Sequence, residues 1–221
     1  MTRLPHCMRR ATEWAYIVRF IVFFLFKDYN WNRLENRQKC KENKSVGTPT
    51  GENMAEKALY ILAGYDDQTE AYLAGIQKKL YEQGFSGTQT KDIPMHITMG
   101  SYPVEMETEL KNRLVKLSTA QKTIDVTFSH TGIFRLPTSD VLFIAPDVNR
   151  EMLDLKDEFK DSMDKFVWTP HTTMLIDSPN IIHKAIPNVL KEFSPFAGRV
   201  AVLHLYEFWP TRHIMSVPLQ I

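Results

Sequence analysis

The chain has 221 residues, 43% of them hydrophobic, with a formal net charge of +1. That is enough to bury a sizeable core, and it allows one domain or a domain with an appendage. Residues 1–53 hold ten Lys/Arg against five Asp/Glu, leaving seventeen against twenty-one for the remainder, a mildly acidic body that argues against a broad face for duplex DNA. Both cysteines, Cys7 and Cys40, lie in the N-terminal segment, so the body can hold no internal disulfide or thiolate metal site and suits a reducing, cytoplasmic setting.

Trp14 to Phe26 is apolar except for Arg19, but as a helix it would reach only about 20 Å, short of the roughly 30 Å bilayer core. No stable membrane insertion is expected. A secretory signal or interfacial anchor is the weaker reading, because Lys27, Asp28 and Tyr29 stand where small residues around a cleavage site belong. Residues 36–53 are polar, with Gly, Pro and Thr, as in a disordered linker. Met54 then reads as a fresh start. The expectation is a dispensable extension over 1–53, an over-extended reading frame being one account of it, and a functional domain over 54–221.

In that domain Ala58 to Ala63 is an apolar run of strand length, and Asp66 and Asp67 can cap a helix carrying Leu73, Ile76 and Leu80 and ending before Gly84. Gly84 to Asp92 reads as a loop, and Pro94 leads into His96-Ile97-Thr98-Met99, a strand ending around Gly100 to Pro103. A second helix places Met106, Leu110, Leu114 and Leu117 along one side. Ile124, Val126 and Phe128 alternate with Asp125 and Thr127, a half-buried strand. After a turn at Pro137 to Asp140 comes a buried strand, Val141 to Ala145. Asp147 or Asn149 caps a third helix carrying Met152, Leu155, Phe159 and Met163, and Pro170 introduces His171-Thr172-Thr173-Met174. Ile181 to Phe193 reads as a helix whose regular part starts near Pro187. Val200 to Trp209 and His213 to Leu219 read as two closing strands.

The elements contain a rough repeat: strand, acidic cap, helix, loop, proline, His-x-Thr. Two lobes related by a pseudo-twofold axis would bring the His-x-Thr strands together, an α+β fold with antiparallel sheet. On a strand, residues two apart share a face, so the pair can present two imidazoles and two hydroxyls to one cleft. About 0.6 such triplets are expected by chance from seven His and roughly eighteen Thr, so spacing alone is weak. The equivalent places in the repeat, the nearby proline and the following Met strengthen it.

These residues resemble the 2H phosphoesterase superfamily, in particular proteins called 2'-5' RNA ligase or RNA 2',3'-cyclic phosphodiesterase. The likeness lies in HITM, HTTM, the prolines before them, HTGIFRL before VLFIAP, and the final LYEFWPTRHIMSVPL, and spans about Ala58 to Leu219. The resemblance implies a two-lobed α+β fold with antiparallel sheets lining a central cleft and helices outside. It implies metal-independent chemistry on 2',3'-cyclic or 2'-5' phosphodiesters, with His96 and His171 as catalytic residues and Thr98 and Thr173 binding phosphate. Some members carry an Arg shortly after the second motif; here Leu175, Ile176 and Asp177 stand there, which leaves the source of positive charge at the phosphate open. Hydrolysis, reverse ligation, and a noncatalytic nucleotide or RNA-end binding module on the same fold all remain possible readings.

Chemically, two imidazoles can divide proton removal and delivery, each contributing on the order of 10² to 10⁴ in rate, while the two hydroxyls donate to nonbridging oxygens. Phe134 is a candidate stacking platform, although core packing is the commoner fate of such a ring. Arg135, Lys91 and Arg212 are candidate phosphate contacts, with solvated surface charge as the default. His130 is placed near the cleft, Tyr102 and Trp168 flank the motifs, and His183, His204 and His213 read as structural or surface residues. No phosphate-loop or dinucleotide fingerprint occurs, and two His with two Thr make a poor zinc set. The expected partner is an RNA end or small nucleotide bound to a monomer, with no cofactor.

Overall fold

The computed structural model describes residues 57–87, 93–164 and 166–221. The apolar run, the polar linker, the start at Met54 and Lys91 lie outside them. Among the described residues no helix is long and apolar enough to cross a membrane.

Strand β1 (Ala58–Tyr65) is buried on both faces apart from the half-buried Tyr60. Leu59, Ile61, Ala63 and Tyr65 enter the core, so Tyr60, Leu62 and Gly64 face the other way. Helix α1 (Asp67–Glu82) is capped by the Asp66 carboxylate, which accepts from the Thr69 amide at 2.9 Å, and buries Leu73, Ile76 and Leu80. It ends before Gly84, whose φ of 90° lies in the left-handed region open to glycine. Then come β2 (His96–Pro103), a 3₁₀ turn, and α2 (Glu107–Ala120), which buries Leu110, Leu114 and Leu117. Strands β3 (Ile124–Arg135) and β4 (Asp140–Pro146) form a hairpin. Helix α3 (Arg150–Asp157), capped by Asn149, precedes β5 (Thr172–Asp177), α4 (Pro179–Glu192), β6 (Phe196–Phe208) and β7 (Arg212–Pro218).

All the strands join one antiparallel sheet in the order β2-β1-β6-β3-β4-β5, with β7 also paired to β6. The long β6 belongs to both lobes: Phe196 to Val200 pairs with β3, while Val200 to Phe208 pairs with β1. The two ends of this sheet, β2 and β5, come back into contact with each other. The lobes therefore mirror one another about β6, and each carries its His-x-Thr motif on an end strand. A single core cluster runs beneath both lobes.

Three expectations need correction. Helix α3 stops at Asp157, so neither Phe159 nor Met163 is part of it; the chain turns to follow the free edge of β2, and the Met163 amide donates to the Ser101 carbonyl at 2.9 Å. Helix α4 runs unbroken through Pro187. Pro187 and His183, whose carbonyl loses its partner, both sit on the exposed face, where water can satisfy that carbonyl. Strand β6 begins at Phe196 because its first half is paired to β3.

The lobes are also bonded directly. The buried Tyr65 hydroxyl on β1 meets the Thr172 hydroxyl on β5. Gln77 of α1 donates to the Met174 carbonyl at 3.1 Å, satisfying the outer edge of β5. Tyr65→Phe leaves the Thr172 hydroxyl buried without a partner and is expected to destabilise the fold by about 1–3 kcal/mol, read as a lower urea midpoint. An unchanged midpoint would show that this link contributes nothing.

Candidate active site

Each motif owes its geometry to a β-bulge. In the β1–β2 ladder, Leu62 opposes Thr98 and Ile61 opposes Gly100, leaving Met99 as the extra residue. In the β4–β5 ladder, Phe143 opposes Thr173 and Leu142 opposes Leu175, leaving Met174. Both methionines are buried in the core. The Met that ends each motif thus fills a bulge, and beyond a bulge the side-chain alternation changes phase. This is why Tyr102 does not line the cleft: it is fully buried and donates to the Phe159 carbonyl at 3.3 Å.

Before the bulges, Ile97 and Thr172 point into the core, while His96, Thr98, His171 and Thr173 are half-buried on the opposite face. Each imidazole is pinned by the segment that precedes it. His96 Nδ1 lies 2.7 Å from the Pro94 carbonyl, and His171 Nδ1 lies 2.7 Å from the Thr169 carbonyl. A carbonyl can only accept, so both Nδ1 atoms carry the proton and each neutral ring presents Nε2 as a lone pair. Neither the Thr98 nor the Thr173 hydroxyl has a hydrogen-bond partner among the described residues. Trp168 flanks the site as a strap, its indole N–H donating to the Thr98 carbonyl at 2.9 Å.

Burial pushes the His96 pKa down to about 4; the Pro94 carbonyl opposes that shift and the nearby His171 charge adds to it. The contact between β2 and β5 brings the two motif strands beside each other. Burial also lowers the His171 pKa, against the Thr169 carbonyl. Both rings are neutral at pH 7.

The surroundings of the two imidazoles differ. His171 is walled by aromatic rings, with Phe134 edge-on at 4.7 Å and Phe143 at 5.4 Å. Phe134 therefore neither fills the core nor stands free: it packs on His171 and Phe143. Sequence reasoning missed Phe143, which sits inside a run that reads as uniformly buried. His96 has a polar neighbour instead. His204 on β6 has a pKa lowered to about 4, by burial first and then by the charges of His96 and His213. Its signal was the alternation Val202, His204, Tyr206, Phe208 along β6.

Two of the candidate cations, Arg135 and Arg212, have carboxylate partners. Arg135 Nε pairs with Asp140 at 3.1 Å, and Arg212 bridges Glu107, at 2.7 Å, and Glu207. His130 leans toward Asp147 at 3.6 Å, and His183 lies 3.4 Å from Arg135. Tyr102 is thus a core residue, while Arg135 and Arg212 have carboxylate partners.

The depressed histidine pKa values set a pH window for stability. A ring that titrates near 6.5 when unfolded and near 4 when folded binds more protons in the unfolded chain. Its contribution is complete above pH 6.5 and is lost as pH falls toward 4. Urea midpoints are expected to fall from pH 7 to pH 5, less so in a His96→Phe variant. An equal fall in both would remove His96 as a cause.

No protein-family model matches the chain, and no curated protein sequence matches it. Solved structures do. The apo form of LigT from E. coli superposes with a TM-score of 0.51 at 14% identity, covering 75% of this chain and 98% of that one. TT0787 of Thermus thermophilus gives 0.51 at 15% identity, covering 74% and 98%. At such identities the likeness is one of architecture, and it extends over nearly the whole of each neighbour. Two lobes of antiparallel sheet, with a motif strand at either end, are thus a LigT-like fold.

Proposed function

We propose that this protein is a metal-independent phosphodiesterase that opens 2',3'-cyclic phosphates or cleaves 2'-5' linkages at RNA ends or on nucleotides, with 2'-5' RNA ligation as the reverse reaction. The observation that supports this reading is that the two His-x-Thr motifs lie on strands that touch, each imidazole with its Nδ1 held by a carbonyl and its Nε2 left as a lone pair. The LigT-like fold favours the same reading.

In this account His96 and His171 flank the phosphorus, and Thr98 and Thr173 donate to its nonbridging oxygens. Water attacks and its oxygen bonds to phosphorus; one Nε2 takes the water proton. The bond to the leaving ribose oxygen breaks, and the other imidazole, protonated on Nε2, delivers its proton there. In the reverse direction the roles exchange. One ring must therefore be charged when substrate is bound. Arg135 and Arg212 are held by carboxylates, so the phosphodiester supplies the opposite charge itself: an anion against Nε2 raises that ring's pKa from its depressed value. The imidazolium is then the cation at the phosphate, in place of the Arg that some family members carry.

A panel of 2',3'-cyclic, 3',5'-cyclic and 2'-5'-linked substrates, assayed without added metal, tests the proposal. Turnover of a 2',3'-cyclic or 2'-5' substrate is expected, with kcat/KM lowered at least about 10²-fold in both His96→Ala and His171→Ala and about 10-fold in Thr98→Val or Thr173→Val. A folded protein that binds nucleotides but turns none over would instead be a binding module. Full activity in either histidine variant would sink the mechanism.

A further inference from the structure

The asymmetry between the two imidazoles points to a third one. Gly64 on β1 lies directly opposite His96 in the β1–β2 ladder, where facing β-carbons stand about 4.5–5.5 Å apart. It is also opposite Val202 on β6, two residues from His204. A β-carbon built on Gly64 would sit 2.4 Å from His204 Nε2. The His204 ring therefore lies across β1 in the space that glycine leaves open, and its Nε2 occupies the place where a side chain facing His96 would begin. At the other end of the ring, Nδ1 is 2.7 Å from the Ser216 hydroxyl on β7, which is itself 2.8 Å from His213 Nε2.

We propose that His204 is a third substrate-contacting imidazole of this cleft, its Nε2 hydrogen-bonding the reacting oxygen on the His96 side of the phosphorus. The inference rests on the phosphodiesterase reading and goes beyond it in naming a residue outside the His-x-Thr motifs.

The Ser216–His213 chain suits this task. A serine hydroxyl donates one hydrogen bond while accepting another. With His204 Nδ1–H donating to Ser216 and Ser216 donating to His213 Nε2, His204 Nε2 is a lone pair. With His213 Nε2–H donating to Ser216 and Ser216 donating to His204 Nδ1, His204 Nε2 carries a proton and donates. His213 is exposed and can exchange protons with water. The oxygen on the His96 side needs such a partner whichever role His96 plays. If it is the attacking water, it begins as a donor and ends bonded to phosphorus as an acceptor. If it is the leaving oxygen, it changes in the opposite sense. His204 can keep one hydrogen bond to it from beginning to end. Around His171 the equivalent space is closed by Phe134 and Phe143, so the third imidazole serves one side alone.

The test measures kcat/KM on a 2',3'-cyclic nucleotide, with thermal melts of each variant. His204→Ala is expected to lose about 10- to 100-fold without a matching loss of stability. His204→Gln, which returns a hydrogen-bonding nitrogen near the same place, regains part of it, and Ser216→Ala loses less than His204→Ala. Full kcat/KM in His204→Ala, or losses that follow the melts, would overturn the proposal. A second readout separates its failure from failure of the phosphodiesterase reading. In the wild-type protein, the side-chain ¹⁵N resonances of His96, His171 and His204 are followed while 2'-AMP or 3'-AMP is added. A shift at His204 Nε2 supports the contact even if no substrate is turned over. Shifts confined to His96 and His171, or none at all, would overturn it.

Discussion

Everything in this structure depends on how one open antiparallel sheet deals with its two ends. An end strand exposes a row of unpaired amides and carbonyls, and left bare it invites pairing with another chain. Here the ends, β2 and β5, are brought together and sealed by side chains and by the segment between α3 and β5. Lys156 donates to the Met99 carbonyl at 2.6 Å, the Met163 amide to that of Ser101, and Trp168 to that of Thr98. Asp164 accepts from the Ser101 amide and hydroxyl, and Gln77 covers β5. The bonds that satisfy these edges are the ones that fix where His96 and His171 stand.

The chemistry of the cleft follows from that closure. Partial burial lowers the pKa of both imidazoles, and the carbonyls of Pro94 and Thr169 hold both Nδ1 protons, which leaves each Nε2 as a lone pair. Two arginines serve the framework: Arg135 pairs with the buried Asp140 at the turn end of the β3–β4 hairpin, and Arg212 ties β7 to α2 through Glu107. In the proposed mechanism the imidazolium supplies the positive charge, so an anion is favoured most when one ring takes up a proton. Binding and acid formation are then one event, which suits a reaction that needs one protonated and one neutral imidazole.

What the sequence made legible, and what it hid, divides along the range of the interactions involved. The Asp66 cap, the buried stripe of Leu73, Ile76 and Leu80, the alternation from Ile124 to Phe128 and the mirrored His-x-Thr placement all depend on neighbours a few residues away, and all stand in the structure. The bulges at Met99 and Met174 depend on the partner strand, so the sequence shows Tyr102 as flanking the first motif but does not show that it is core. His204 reads as unpartnered because its partners, Gly64, His96 and Ser216, come from other strands. Arg135 reads as free because the buried carboxylate that holds it faces it across a hairpin.

The central claim is that His96 and His171 act on one phosphate as a single device. Groups that work as a unit lose most of their effect when either is removed, and losing the second then costs little more. The measurement is kcat/KM on adenosine 2',3'-cyclic phosphate for His96→Ala, His171→Ala and the double variant. The account predicts a large loss in each single variant and a double variant hardly worse than either. Losses that multiply in the double variant, as for two independent contributors, would contradict it.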